Sequence, residues 1–440
     1  MNIFLKNVLT LFSGTVIAQL IGVVFLPVLT RLFTPAEFGT FYLFVTTGTI
    51  LTIIITGGYE TTFVLPKSEE DARHLLVFSI LVTAGMTILS FLICLVLYYF
   101  EGEHFKTKES LVMLWLIPLF SSIVGLTRIF KNWSIRQKKY NWASGANIIR
   151  AGSISGLQTG FGLLHAGSFG LVSGSVLAQI PPMLFLMIKN KTLRFGSKLN
   201  ALKEAWIRGK EYRNFPFLQM PTDVLNEVSI QSPVYFLSLV FNNVVVAIYS
   251  LPLRIMNQPA RFIGQAVGEV YYRHASELNA GDKDLSGLTF NTFKNLFMLG
   301  ILPFMVTIFW GREIFSFIFS QEWEASGRIA AYLSPWLLFE FSGSPISNIL
   351  IIKRKLHYWF YLNLSLFILR IAGLLFGTII MHNLEITVIL FASSSVIYWI
   401  YIVNYSLHLS GVRPWKMLSF TASVITLAAV PLVIIKILLT

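Results

Sequence analysis

The chain has 440 residues, of which 55% are hydrophobic and 12% charged, and its formal charge is +13. A soluble domain carries about twice that charged fraction, and the long apolar runs exclude a β-barrel, whose strands alternate over about ten residues; the reading is an all-α polytopic membrane protein. The positive balance suits anionic lipid headgroups or an anionic substrate, and no soluble basic domain is present to bind nucleic acid.

About twenty apolar residues cross the hydrocarbon of a bilayer. On that ruler, spans are predicted near 8–30, 39–58, 74–99, 109–130, 142–163 and 168–188. A second set follows near 214–240, 244–267, 290–311, 328–351, 357–381 and 386–408, and a thirteenth stretch, 417–438, closes the chain. The first apolar run has no small-residue cleavage site after it, so it reads as a span and not as a removed signal peptide. The sole cysteine, Cys94, lies in an apolar run, which excludes a disulfide within the chain and argues against a metal cluster.

Basic residues collect in cytoplasmic loops. With the N-terminus inside, Lys131, Arg136, Lys138 and Lys139 follow the fourth span, and Lys353, Arg354 and Lys355 follow the tenth. Between the sixth and seventh spans lie Lys189, Lys191, Arg194, Lys198, Lys203, Arg208, Lys210 and Arg213. This basic linker is expected to lie on the anionic leaflet as an amphipathic link. The outer loops are short and hold few cations.

The two sets of six resemble copies of one another. "WLIPLFSS" from Trp115 matches "WLLFEFSG" from Trp336 at an offset of 221, and "IIRAG" with Arg150 matches "ILRIAG" with Arg370 at an offset of 220. Six spans per half give both halves the same orientation, with a central cavity as the expected consequence. The predicted organisation is a six-helix lobe at 1–190, a basic linker at 191–212, a second six-helix lobe at 213–410 and an extra span at 411–440.

Four segments carry a family likeness: "LTRLFTPAEFGTFYLF" (Leu29–Phe44), the run Tyr212–Phe241, "AIYSLPLRIMNQPARFIGQAVGEVYYRHASEL" (Ala247–Leu278), and Phe319–Ser347 with Trp323, Gly327, Pro335 and Trp336. Over residues 1–410 the chain resembles the polysaccharide-transport branch of the multidrug/oligosaccharidyl-lipid/polysaccharide exporters, whose members include Wzx-type O-antigen flippases. The resemblance implies a two-lobed, MATE-like fold in the bacterial inner membrane. It implies that an undecaprenyl-diphosphate-linked oligosaccharide is moved to the outer leaflet, with glycosyltransferases and a polymerase as functional partners. The family stops at twelve spans or adds two, whereas thirteen are counted here.

Such a substrate needs a wet, basic cavity, because its phosphates and sugars cannot cross hydrocarbon unpartnered. Arg meets that need with a planar, permanently charged fork. Arg150, Arg254 and Arg370 are mid-span; Arg150 lies roughly 13 Å into its span at 1.5 Å per residue. Two readings stay open for the trio: cavity cations for the diphosphate, or internal ion pairs and snorkelling groups. Arg128, near a cytoplasmic span end, is an ordinary loop cation or an entry-site phosphate contact. Asp223 and Glu227 share one helix face at i and i+4, among Pro216, Pro221 and Pro233. They are either an ion-coupling site or partners that neutralise the arginines. Glu340, mid-span, and Glu60, near the cytoplasmic end of the second span, are further candidates for lining the cavity. No Walker A motif, metal spacing or catalytic constellation is present, so neither an enzyme nor a cofactor is expected. A peptidoglycan lipid-precursor flippase is the alternative in the same fold; a polymerase or ligase would need a large outer loop, and a cationic-drug exporter would want acidic spans.

Overall fold

The computed structural model describes residues 3–100, 108–190 and 199–439. The described residues form helices joined by short turns, without strands. In chain order the helices are α1 (Ile3–Leu32), α2 (Pro35–Thr56), α3 (Glu69–Phe100), α4 (Lys108–Arg136), α5 (Tyr140–Leu163), α6 (Gly167–Leu177), α7 (Ile180–Asn190) and α8 (Leu199–Glu211). There follow α9 (Met220–Val240), α10 (Asn243–Ala280), α11 (Ser286–Phe319), α12 (Glu324–Gly343), α13 (Ile349–Ile352), α14 (Leu356–Leu375), α15 (Leu384–Leu409) and α16 (Pro414–Leu439).

Local chemistry sets the helix ends. Thr34 and Glu37 form a capping box with Pro35 in the first turn, which satisfies the free N–H groups that open α2. Asn242 and Asn383 accept from the amides of Val245 and Ile386 and start α10 and α15 in the same way. Gly57 (φ 61°) and Gly58 (φ 74°) end α2 in the left-handed region. The chain then folds back through a 3₁₀ turn, Tyr59–Val64.

The predicted spans all correspond to helical segments. The sixth is a pair, α6 and α7, broken ahead of Pro181 and Pro182. The tenth ends at Gly343 and continues through a short turn into α13. The eighth was expected to stop near 267, but α10 runs on to Ala280; its last turns are amphipathic, with Tyr271 and Ala275 buried and an Arg273–Glu277 pair outside. Among the described residues nine stretches are long and apolar enough to cross a membrane, including Pro414–Leu438. The span-length helices α5, α9, α10 and α12 fall short of that apolarity. These are the helices that carry Arg150, Asp223 and Glu227, Arg254, and Glu340.

The chain forms two compact units, Met1–Ser232 and Pro233–Thr440. In the first, Tyr59, Phe63, Leu75, Phe78, Ile129 and Trp133 make a buried cluster around the 3₁₀ turn. The predicted linker is part of this unit from residue 199 onward; Lys191, Arg194 and Lys198 lie outside the described residues. Helix α8 docks on α3 through buried Ala205, an edge-on Phe78–Trp206 contact and an Arg208–Asp71 ion pair of 2.8 Å. Its Gly209 has no room for a side chain beside Phe78, and the Gly209 carbonyl accepts from the Tyr59 hydroxyl. In the second unit, Phe293, Phe297 and Phe420 pack α11 against α16, and Phe339 of α12 joins them.

Candidate functional site

In the first unit, cations gather on α4 and α5. Arg128 and Arg150 both lie close enough to Lys131 for their charges to act on it. The Lys131 ammonium donates to Asn147 Oδ1 (3.1 Å), and Asn147 in turn donates to Thr15 Oγ1 (3.2 Å), which links α4, α5 and α1. Arg150 is exposed and Arg128 and Lys131 are half-buried. Sequence reasoning missed Lys131, since apolarity ended the fourth span at 130 and left this residue in a loop; α4 continues to Arg136. Arg136, also counted as a loop cation, is a clamp: it donates to the carbonyls of Phe63, Pro66 and Ser68 and pairs with Glu69 at 3.7 Å.

Glu60, in the 3₁₀ turn, lies near enough to Arg128 for its charge to act on it. Beyond the second span, burial pushes its carboxyl above the ordinary range and Asp223 adds to the rise, opposed by its own backbone, Thr56 and Arg128. Asp223 and Glu227 are half-buried on α9, and each accepts from a glutamine four residues away: Gln219, just ahead of α9, to Asp223 at 2.9 Å and Gln231 of α9 to Glu227 at 2.9 Å. Ahead of them Phe215–Gln219 is π-helical and contains Pro216, and Pro233 lies inside α9. Proline removes helix hydrogen bonds and bends the axis there.

In the second unit Arg370 is 8% exposed. Its guanidinium sits 4.9 Å from the ring centre of Trp336 and 4.8 Å from that of Phe391, and its Nε donates to Ser395 Oγ at 2.9 Å. Glu340, one helical turn from Trp336, feels the charges of Arg370 and Arg261. Tyr398 donates to Asn363 at 3.0 Å beside them. Arg254 is half-buried on α10. Arg150 and Arg370 therefore share a sequence motif but not an environment: one is exposed among cations, the other is buried between aromatic rings.

Residues 4–278 match the protein family described as polysaccharide biosynthesis protein. The chain belongs to that family. No curated protein matches the chain. Among solved structures, the fold is similar to a lipid II flippase MurJ in an inward closed conformation (TM-score 0.67, 14% identity, 99% of this chain and 96% of that one). It is also similar to an inward-facing multidrug resistance MATE transporter of the MOP superfamily (TM-score 0.60, 13% identity, 91% and 94%). A MOP superfamily transporter from Pyrococcus furiosus Vc1, described as having a binding pocket of reverse polarity, shares the fold as well (TM-score 0.59, 14% identity, 92% and 96%). The family member described here is thus a multi-pass helical membrane protein with the MOP transporter fold.

Proposed function

We propose that the protein is a flippase that moves an undecaprenyl-diphosphate-linked oligosaccharide, the repeat unit of an O-antigen or related surface polysaccharide, across the bacterial inner membrane. The observation that carries this reading is the cation group Arg128, Lys131 and Arg150. Three basic side chains brought together on span-length helices repel one another, and a diphosphate relieves that repulsion with bidentate, charge-assisted hydrogen bonds. In the second unit Arg254, on α10, and Arg370, in its aromatic cradle, are further cations proposed to serve the substrate's phosphates. Asp223 and Glu227 are the carboxylates through which an ion gradient couples to transport by alternating access, and Glu60 and Glu340 are carboxylates beside the cations of their own units. The chain is a transporter, not an enzyme: glycosyltransferases make its cargo and a polymerase consumes it. The distribution of Lys and Arg supports a cytoplasmic N-terminus.

Deletion of the gene, followed by analysis of surface glycan and lipid-linked precursors, tests the reading. The expected result is loss of surface polysaccharide with the lipid-linked repeat unit retained in the inner leaflet. A second reading, transport of a peptidoglycan lipid precursor, is favoured by the fold similarity to the lipid II flippase. Accumulation of that precursor, with surface polysaccharide intact, would select it.

A further inference from the structure

Glu60 is placed with unusual firmness for a carboxylate beside a transport site. Two successive left-handed glycines, Gly57 and Gly58, turn the chain at the end of α2. The Arg136 clamp then fixes the carbonyls that follow the turn, at Phe63, Pro66 and Ser68. Edge-on packing of Phe63 against Trp133 holds the same turn to α4. The Glu60 side chain is thereby directed inward: the residue is 8% exposed, and while its own backbone and the Thr56 hydroxyl serve the carboxyl, its Oε2 has no hydrogen-bond partner among the described residues. A buried carboxylate oxygen without a donor is unfavourable unless an opposite charge lies near. Among the described residues the charged groups that act on Glu60 are Arg128 from α4 and Asp223 from α9, and of these two Arg128 has the opposite sign. Arg128 also acts on Lys131, so Glu60 stands at the edge of the cation group.

We propose that Glu60 is an internal counter-anion, which competes with the phosphates of the lipid-linked substrate for Arg128 and so sets the affinity of the cation group. This inference rests on the phosphate-site reading given above. In the unloaded protein Glu60 offsets part of the charge of the cluster. An arriving diphosphate must engage Arg128 within the field of the Glu60 carboxylate, so it binds less tightly than the cations alone would hold it. Transport needs such moderation, because a site that binds too strongly does not release its cargo.

The test is binding of farnesyl diphosphate to the purified full-length protein at fixed pH and ionic strength. Glu60→Gln keeps the side-chain shape and removes the charge, and it should tighten binding about fivefold or more, the scale of coupling between interacting sites. Glu60→Ala should tighten it in the same direction. In an Arg128→Ala background, Glu60→Gln should have no effect, because the group it competes for is gone. The proposal is overturned if both Glu60 variants bind no more tightly than the parent, or if the tightening is as large without Arg128. If Arg128→Ala alone leaves binding unchanged, the phosphate-site reading fails and the counter-anion goes with it. If Arg128→Ala weakens binding and neither Glu60 variant strengthens it, the counter-anion alone fails.

Discussion

A guanidinium within a membrane span is expensive, and the two repeat-related arginines have different surroundings. Arg370 is held by the faces of Trp336 and Phe391 and by the Ser395 hydroxyl, with Glu340 supplying opposite charge. Cation–π contacts of this kind are worth about 0.5–2 kcal/mol each, more when desolvated. Arg150 is exposed beside Lys131 and Arg128. The two should therefore fail differently when replaced. Arg370→Ala should lower the thermal stability of the purified protein, by about 2–4 kcal/mol for the broken buried network, along with any loss of transport. Arg150→Ala should stay within about 0.5 kcal/mol of the parent, as exposed substitutions do, while transport falls. Equal melting temperatures for the two variants would contradict this division. Sequence alone places both residues in mid-span but not in these environments. The local motifs are nearly the same, and the difference comes from Trp336 and Phe391, which sit on other helices.

At the scale of elements, close approach of backbones decides what can be changed. Helices α11 and α12 cross at Gly311 and Gly327; a Cβ on Gly311 would stand 2.5 Å from the Gly327 carbonyl oxygen. No rotamer change relieves a clash with backbone. Gly327→Ala should cost about 1–3 kcal/mol, as overpacking does, read as a lower melting temperature in detergent. Gly152, which faces open space on α5, should accept Ala without that loss. The ion pairs Arg312–Glu324 and Arg328–Glu385 tie the same region together at its exposed end. Helix existence was legible from apolar run length, because a bilayer imposes that length. Helix ends were less so: α10 outlasts its apolar stretch and α4 continues past 130, since polar residues extend a helix wherever one face stays packed. The docking of α8 was also hidden, because Gly209, Ala205 and Tyr59 carry no pattern that names their partners.

For the whole molecule, the distribution of apolarity bears on the proposed function. The helices too polar to pass as ordinary spans, α5, α9, α10 and α12, hold most of the charged residues assigned to transport. The two compact units meet in sequence at Ser232 and Pro233, inside α9, where prolines and a π-helical turn interrupt regular hydrogen bonding. The central claim is that this arrangement carries a lipid-linked diphosphate across the bilayer on the cations of α4 and α5. The most direct measurement is translocation of a fluorescent polyprenyl-diphosphate oligosaccharide in proteoliposomes, read by the fraction that becomes accessible to an impermeant quencher. The account predicts transport by the parent protein, with a loss of about tenfold or more in an Arg128→Ala, Arg150→Ala double variant, the scale of 1.4 kcal/mol or more in interaction energy. Unchanged transport by that variant, with the protein folded and inserted, would contradict it.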